Sequence, residues 1–370
     1  MDARATRICD ILHEAGLDWA LLTSPGAVAY ATGHAVPIET GPSPFAGGPT
    51  AALITREGEI ALVCASHDAH IPSRAETLFT YQGFGWEKPA DYAAGYLDAL
   101  QRAMTGLRVC GRSGVERADL PLAVAEVIGT PLVDFTALLM RARAVKTPEE
   151  LASMVRAGKV ASAGQEAVRL AARAGQTELE AFGTARTAME TAAGARLAVA
   201  GDFLTGQARS ANVAGWPGDR RIAPGDPVIS DLAPRVGGYW ADSCSAFIVG
   251  RPRSEAYVRR WQAVHEVLVE VPNLLRPGRR ACDVDSDLRA ALAVSGLSYP
   301  HHSGHSLGTT VHEFPRLVPW ETALIETDMI IMVEPGAYDA THGGIRLERM
   351  FHVGAKSTTS LTTFSMACNT

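Results

Sequence analysis

Cysteine is scarce in this sequence and never closely paired. Cys9, Cys64, Cys110, Cys244, Cys282 and Cys368 are scattered over 370 residues with no C-x-x-C spacing. A chain of this length has no need of covalent staples, so a disulfide-framed fold is excluded and the six read as reduced thiols. Long apolar runs are also missing. No stretch approaches the length needed to cross a bilayer, and residues 1–16 are polar and amphipathic without the apolar centre of a secretion signal. These absences lead us to expect a cytoplasmic protein with no membrane partner. There is no Lys/Arg cluster and the net charge is −6, which argues against a nucleic-acid or anionic-membrane surface and leaves small molecules or short peptides as partners. No low-complexity linker separates the parts of the chain.

An apolar content of 47% over 370 residues is enough for a large core and, at this length, for two domains. Ile8, Ile11 and Leu12 are spaced for one face of a helix ending at Gly16, and Trp19-Ala20-Leu21-Leu22-Thr23 then reads as a buried strand. Residues 51–54 and 60–63 flank the polar turn Arg56-Glu57-Gly58-Glu59 as a hairpin, and a further helix runs from Tyr92 to Met104. This alternation predicts an α/β domain over residues 1–143. Thr147 as N-cap, Pro148 in the first turn and Glu149-Glu150 behind it mark a helix start, so the second domain is expected over residues 144–370. Its predicted helices are Pro148 to about Ala174, Glu178 to about Ala193, Glu255 to Leu275 and Val284 to Val294.

Each helix pair precedes a segment of one design. The first reads Val228-Ile229-Ser230-Asp231, then Gly237-Gly238, then Asp242 four residues past the glycine pair, and closes on Phe247-Ile248-Val249-Gly250. The second reads Ile331-Met332-Val333-Glu334, then Gly343-Gly344, then Glu348, and closes on Phe351-His352-Val353-Gly354. An apolar run ending in an acid, a glycine turn and an acid on the returning strand predict two β-hairpins, each with both carboxylates near its base. The second domain is thus expected to be α+β, a curved sheet with helices outside. Taken singly, an acid beside a glycine turn is usually a turn former or a solvated charge. Here the acids end apolar runs, where an unpaired charge is costly, and the pattern occurs twice with the same offset.

Four buried carboxylates raise one another's pKa unless a cation neutralises them. His305, in His301-His302-Ser303-Gly304-His305-Ser306-Leu307-Gly308, is the fifth candidate ligand, set among small residues that allow close approach. One imidazole with Asp231, Asp242, Glu334 and Glu348 makes a hard, oxygen-rich set. That set favours two divalent ions of the Mn²⁺, Co²⁺ or Fe²⁺ kind over thiolate-type zinc. Bridging carboxylates would hold such ions about 3.5–4 Å apart, where a shared hydroxide is a nucleophile at neutral pH.

Together these elements resemble the creatinase, prolidase and aminopeptidase P family, whose catalytic domain has the pita-bread fold. Leu17 to Pro25 with Tyr30-Ala31-Thr32-Gly33 resembles the family's opening strand and turn, and Arg143 to Leu151 its domain junction. Gly225-Asp226 with Asp231, Gly238-Tyr239 with Asp242, Gly304-His305, Glu334-Pro335-Gly336 and Gly344 to Glu348 match its ligand motifs in order and spacing. The resemblance implies a creatinase-like N-terminal domain, a homodimer and two divalent ions, Mn²⁺ foremost, with Co²⁺, Fe²⁺ or Zn²⁺ as alternatives. It also implies an Xaa-Pro dipeptidase or aminopeptidase in which Glu334 relays a proton, His312 stabilises the oxyanion, and His301, His312 and Arg346 contact substrate. His302 is expected behind the ligands or at the surface. Three departures stand out. Ala214 occupies the place of a substrate-facing histidine, Asp242-Ser243-Cys244-Ser245 replaces Asp-x-Thr-Arg, and Arg349 replaces the Asp after the last ligand. The departures open an alternative, a non-peptidase relative acting on an amidine, lactam-like or sulfonium metabolite; a retired binding protein is the third reading.

Overall fold

A computed structural model of the chain describes residues 2–38, 45–87, 89–129, 131–252 and 254–370. It divides into two compact units between Arg143 and Ala144. None of its described helices is long and apolar enough to cross a membrane, and all six cysteines are free thiols.

In the first unit a six-stranded mixed sheet runs in the order Thr77–Tyr81, Ile60–Ala65, Ala51–Thr55, Trp19–Leu22, Ser113–Val115, Leu132–Asp134. The expected hairpin is there, with Ala51 opposite Val63 and Ile54 opposite Ile60. Strand residues alternate between two apolar layers because successive side chains leave a strand on opposite faces. Ala20, Leu22, Ala52 and Ile54 pack with Ile8 and Leu12 of helix Ala3–Glu14. Trp19, Leu21, Leu53 and Val63 pack with Tyr96, Ala99 and Leu100 of helix Tyr92–Gly106.

The second unit opens with helix Pro148–Ala171, started by a reciprocal cap. The Thr147 hydroxyl accepts from the Glu150 N–H, and the Glu150 carboxylate accepts from the Thr147 N–H. Helix Glu178–Ala193 starts the same way at Thr177 and Glu180. Helices Glu255–Leu274 and Ala281–Ala293 precede the second acidic segment, the last beginning three residues earlier than its periodicity suggests. Their buried residues Val264, Leu268, Val284 and Leu288 share one core with Ile229, Ala246, Ile331, Val333 and Phe351 of the strands. Each fully buried aliphatic side chain contributes about 1.5–3 kcal/mol there.

Both acidic segments form antiparallel ribbons, and two features differ from expectation. Neither ladder is continuous. Pro227–Asp231 pairs with Cys244–Ile248, and the ribbon resumes as Ala233–Val236 against Tyr239–Trp240, leaving Asp242 in the break. Ile330–Val333 pairs with Arg349–Val353, and Gly336–Asp339 with Gly343–Arg346, leaving Glu334 and Glu348 in the break. A residue outside the ladder is free of the strict in-and-out alternation, so these acids can turn to a common centre. Secondly, the two glycine pairs do different work. Gly237 and Gly238, with φ of 57° and 89°, form a two-residue turn of the mirror-image kind that suits a twisted hairpin. Gly343 and Gly344 lie in the returning strand instead. A Cβ on Gly344 would stand 1.8 Å from the Ser210 carbonyl oxygen, so glycine is needed there for close approach rather than turning.

Candidate metal centre

The break in each ribbon and one short strand bring the five predicted ligands to a single cavity of about 300 Å³. Strand Gly304–Ser306 places His305, with its register set opposite Met332 on one side and Arg316 on the other. Gly304 permits this, since a Cβ there would meet the Met332 carbonyl oxygen at 1.9 Å. The ribbons are tied together at the site, where the Glu348 N–H donates to the Cys244 carbonyl at 2.9 Å.

His305 is buried, and its Nδ1 lies 2.8 Å from the Ser306 carbonyl oxygen, which can only accept. The proton therefore sits on Nδ1 and the Nε2 lone pair faces Asp242 Oδ2 and Glu334 Oε1, each at 3.8 Å. Burial lowers its pKa to about 3, so the ring is a neutral donor at physiological pH. Single donor atoms of Asp242, His305 and Glu348 all lie within 4.8 Å of one another. Glu348 is 1% exposed and its Oε2 has no hydrogen-bond partner among the described residues.

The carboxyls behave as a crowded set. Burial, then the charges of Asp231 and Glu334, push Asp242 well above the usual carboxylate range. Burial, then Asp242 and Glu334, do the same to Glu348. Asp231 rises to about 6 through burial, against the pull of the Arg346 guanidinium. Burial also works to raise Glu334, but a hydrogen bond with His302 and the nearby cationic groups outweigh it and bring the group to about 2. An orphaned carboxylate oxygen, an unprotonated imidazole nitrogen and acids that cannot all ionise together fit a divalent-cation site of hard character.

Arg346 is 4% exposed and commits its guanidinium to Asp231 at 2.5 Å, Asp202 at 2.8 Å and the Val213 carbonyl at 2.7 Å. It lines the cavity as an anchor of Asp231. His301 also lines it, with Nδ1 on the His302 carbonyl and Nε2 on the Tyr338 hydroxyl. His312 is exposed, its ring centroid 4.3 Å from that of His305. Ala214 forms part of the wall. His302 touches a candidate ligand, its Nε2 2.7 Å from Glu334 Oε1, and also lines the cavity. Asp202, Tyr338 and Gln165 were not visible as site residues, because none stands in a repeated or spaced pattern.

Gln165, 1% exposed on helix Pro148–Ala171, donates to the Ser230 carbonyl at 3.0 Å and the Ser243 carbonyl at 2.8 Å, and accepts from the Ser245 hydroxyl at 2.6 Å. It therefore clamps the backbone beside both Asp231 and Asp242. Gln165→Leu strips these buried groups of their side-chain partner, although the Ser243 carbonyl keeps the Leu232 N–H, and calorimetric unfolding is expected to show a loss of about 1–3 kcal/mol. A melting curve matching the parent protein would contradict this.

The fold and the donor set define a metal-dependent hydrolase built on the pita-bread domain. The profile of metallopeptidase family M24 matches residues 152–355, and that of the creatinase/prolidase N-terminal domain matches residues 4–145. The chain belongs to this family, which bears out the resemblance to creatinase, prolidase and aminopeptidase P. It is 27% identical to the putative dipeptidase YkvY of Bacillus subtilis over 259 residues, 68% of this chain and 70% of that one. To the Xaa-Pro dipeptidase of Pyrococcus furiosus it is 28% identical over 208 residues, 56% of this chain and 59% of that one. The prolidase of Pyrococcus horikoshii OT3 superposes with a TM-score of 0.81 at 21% identity, over 99% of this chain and 100% of that one. For the X-Pro aminopeptidase of Thermotoga maritima MSB8 the TM-score is 0.80 at 19% identity, over 99% of both chains.

Proposed function

We propose that the protein is a dinuclear metal-dependent hydrolase cleaving the C–N bond of a small substrate, an Xaa-Pro dipeptide or short Xaa-Pro peptide. The observation that carries this reading is the convergence of Asp231, Asp242, His305, Glu334 and Glu348 on one cavity of about 300 Å³, a volume at the small end of ligand sites. These five residues would hold two divalent ions, Mn²⁺ first, with Co²⁺, Fe²⁺ or Zn²⁺ able to substitute. When bound, such ions polarise the scissile carbonyl and acidify water. The chain's own groups do the rest. Glu334 accepts the proton of the attacking water and passes it to the leaving nitrogen. His312, on the cavity wall, donates to the developing oxyanion, a contact worth roughly 3 kcal/mol when well aimed. His301 lines the substrate side, steadied by Tyr338, and Arg346 fixes the orientation of Asp231 beside the substrate.

Ala214 favours a second reading with the same fold and ions. The methyl group on the cavity wall can neither donate nor accept a proton there, as a pocket reshaped for an amidine, lactam-like or sulfonium substrate would require. A retired binding protein is disfavoured, since the unpartnered Glu348 oxygen and clustered acids cost stability without a cation. Turnover of Gly-Pro, Ala-Pro and longer Xaa-Pro peptides by Mn²⁺-loaded protein decides the matter. Cleavage is the expected result, and Ala214→His is expected to raise it several-fold; inert Xaa-Pro substrates would move the assignment to the second reading.

A further inference from the structure

One nitrogen each of His302, His305 and His312 lies within 4.8 Å of the others. By distance alone this is a second, imidazole-rich metal site, and Arg316 argues against it. The Arg316 guanidinium contacts His302 Nδ1 through Nε at 3.2 Å and Nη2 at 2.8 Å. A guanidinium carries only donors, so Nδ1 must supply its lone pair and the ring proton belongs on Nε2. A metal held by Nε2 would need that proton moved to Nδ1, where it would face the guanidinium N–H groups head on. The Nε2–H instead lies 2.7 Å from Glu334 Oε1, and both side chains are largely buried, at 14% and 9% exposure.

We propose that His302 is the positioning residue of Glu334: a tautomer-locked hydrogen-bond donor, set by Arg316, that fixes the orientation of the Glu334 carboxylate beside His305. This deepens the proposed function and rests on it. The arrangement is local in origin. Arg316 lies opposite His305 in the strand pair, and His305 is three residues along the chain from His302, so the strand that places His305 also places the lock. Donors behind a ligating carboxylate typically change metal affinity 10–100-fold when removed.

The test reads the tautomer and the affinity separately. In full-length protein with ¹⁵N-labelled histidine, the His302 resonances are assigned as those lost in His302→Gln. Two-bond proton–nitrogen correlations are expected to place the wild-type proton on Nε2, both in chelator and with the diamagnetic ion Zn²⁺. Arg316→Glu, which accepts at Nδ1, is expected to move it to Nδ1. Calorimetric titration of metal-free protein with Mn²⁺ is expected to give a 10–100-fold weaker Kd for His302→Phe, with His302→Gln, whose amide still donates, recovering most of the loss. A wild-type proton on Nδ1, no move in Arg316→Glu, or equal weakening by Phe and Gln would each overturn the inference. Wild-type protein that binds no Mn²⁺ would instead sink the proposed function, whatever the tautomer shows.

Discussion

Glu348→Gln is expected to raise the melting temperature of the metal-free protein and at the same time to abolish its chemistry. Glu348 is buried, its Oε2 meets no donor, and burial together with Asp242, Glu334 and Asp231 pushes its pKa well above the usual carboxylate range. Without a cation the folded chain must either hold an extra proton or tolerate like charges, and both cost free energy. Glutamine keeps the shape and the uncharged state at no such cost, and the expected gain is about 1–3 kcal/mol, a shift of several degrees for a chain of this size. With divalent ions the sign reverses, because an amide is a poor ligand beside Asp242 and His305. Losing metal polarisation, worth several kcal/mol, lowers kcat/KM by about 10³-fold or more. Scanning calorimetry in chelator, metal analysis and turnover make the comparison. A variant that melts below the parent in chelator, or that keeps its ions, would refute the account of these acids as a cation site.

The five candidate ligands were legible in the sequence because the pattern that marks them is local. An acid closing an apolar run and another four residues past a glycine pair can be read from spacing, and the repeat of that spacing outweighs the ordinary reading of each acid. What spacing hid was the path of the chain. The second glycine pair looks like a turn by composition, yet Gly344 is glycine because Ser210, 134 residues away in sequence, presses against it. His302 sits three residues from a ligand and reads as one polar residue among several. Its role depends on Arg316 arriving from the next strand, a pairing that no local pattern announces. Asp202 and Gln165 are hidden for the same reason, reaching Arg346 and the Ser230 and Ser243 carbonyls across the fold. Arg346 was readable as a site residue, but its commitment to Asp231 and Asp202 became visible only in three dimensions.

Metal-free and Mn²⁺-loaded protein are expected to respond to pH in opposite directions. Asp231 titrates at about 6 in the folded chain against an ordinary 3.8, so the fold holds its proton where the unfolded chain has released it. The stability this contributes is full below the ordinary value and is lost as pH rises through about 6, a change of about 3 kcal/mol. Asp242 and Glu348, also raised, act in the same sense. Glu334 acts oppositely: its pKa falls to about 2 from an ordinary 4.5, so its contribution is present above 4.5 and lost only as pH falls towards 2. Below about pH 6.5 the rings of His305, His301 and His312, held neutral in the fold, oppose the raised groups, because the unfolded chain takes up the proton that the fold refuses. From about pH 6.5 to pH 8 the raised carboxyls alone change, and the metal-free protein should melt progressively lower. Ions reverse the trend, since deprotonated carboxylates are the ligands and binding releases the protons that rising pH removes anyway. At about 1,000-fold excess over Kd the ions add about 4 kcal/mol, so the gap between loaded and metal-free melting temperatures should widen by roughly 10 °C towards the alkaline end. Thermal melts in chelator and in Mn²⁺ across that range test both arms. A gap that is constant or narrows with pH would mean that these carboxyls do not take up their cation at the cost of their protons, and the centre would have to be assigned to other groups.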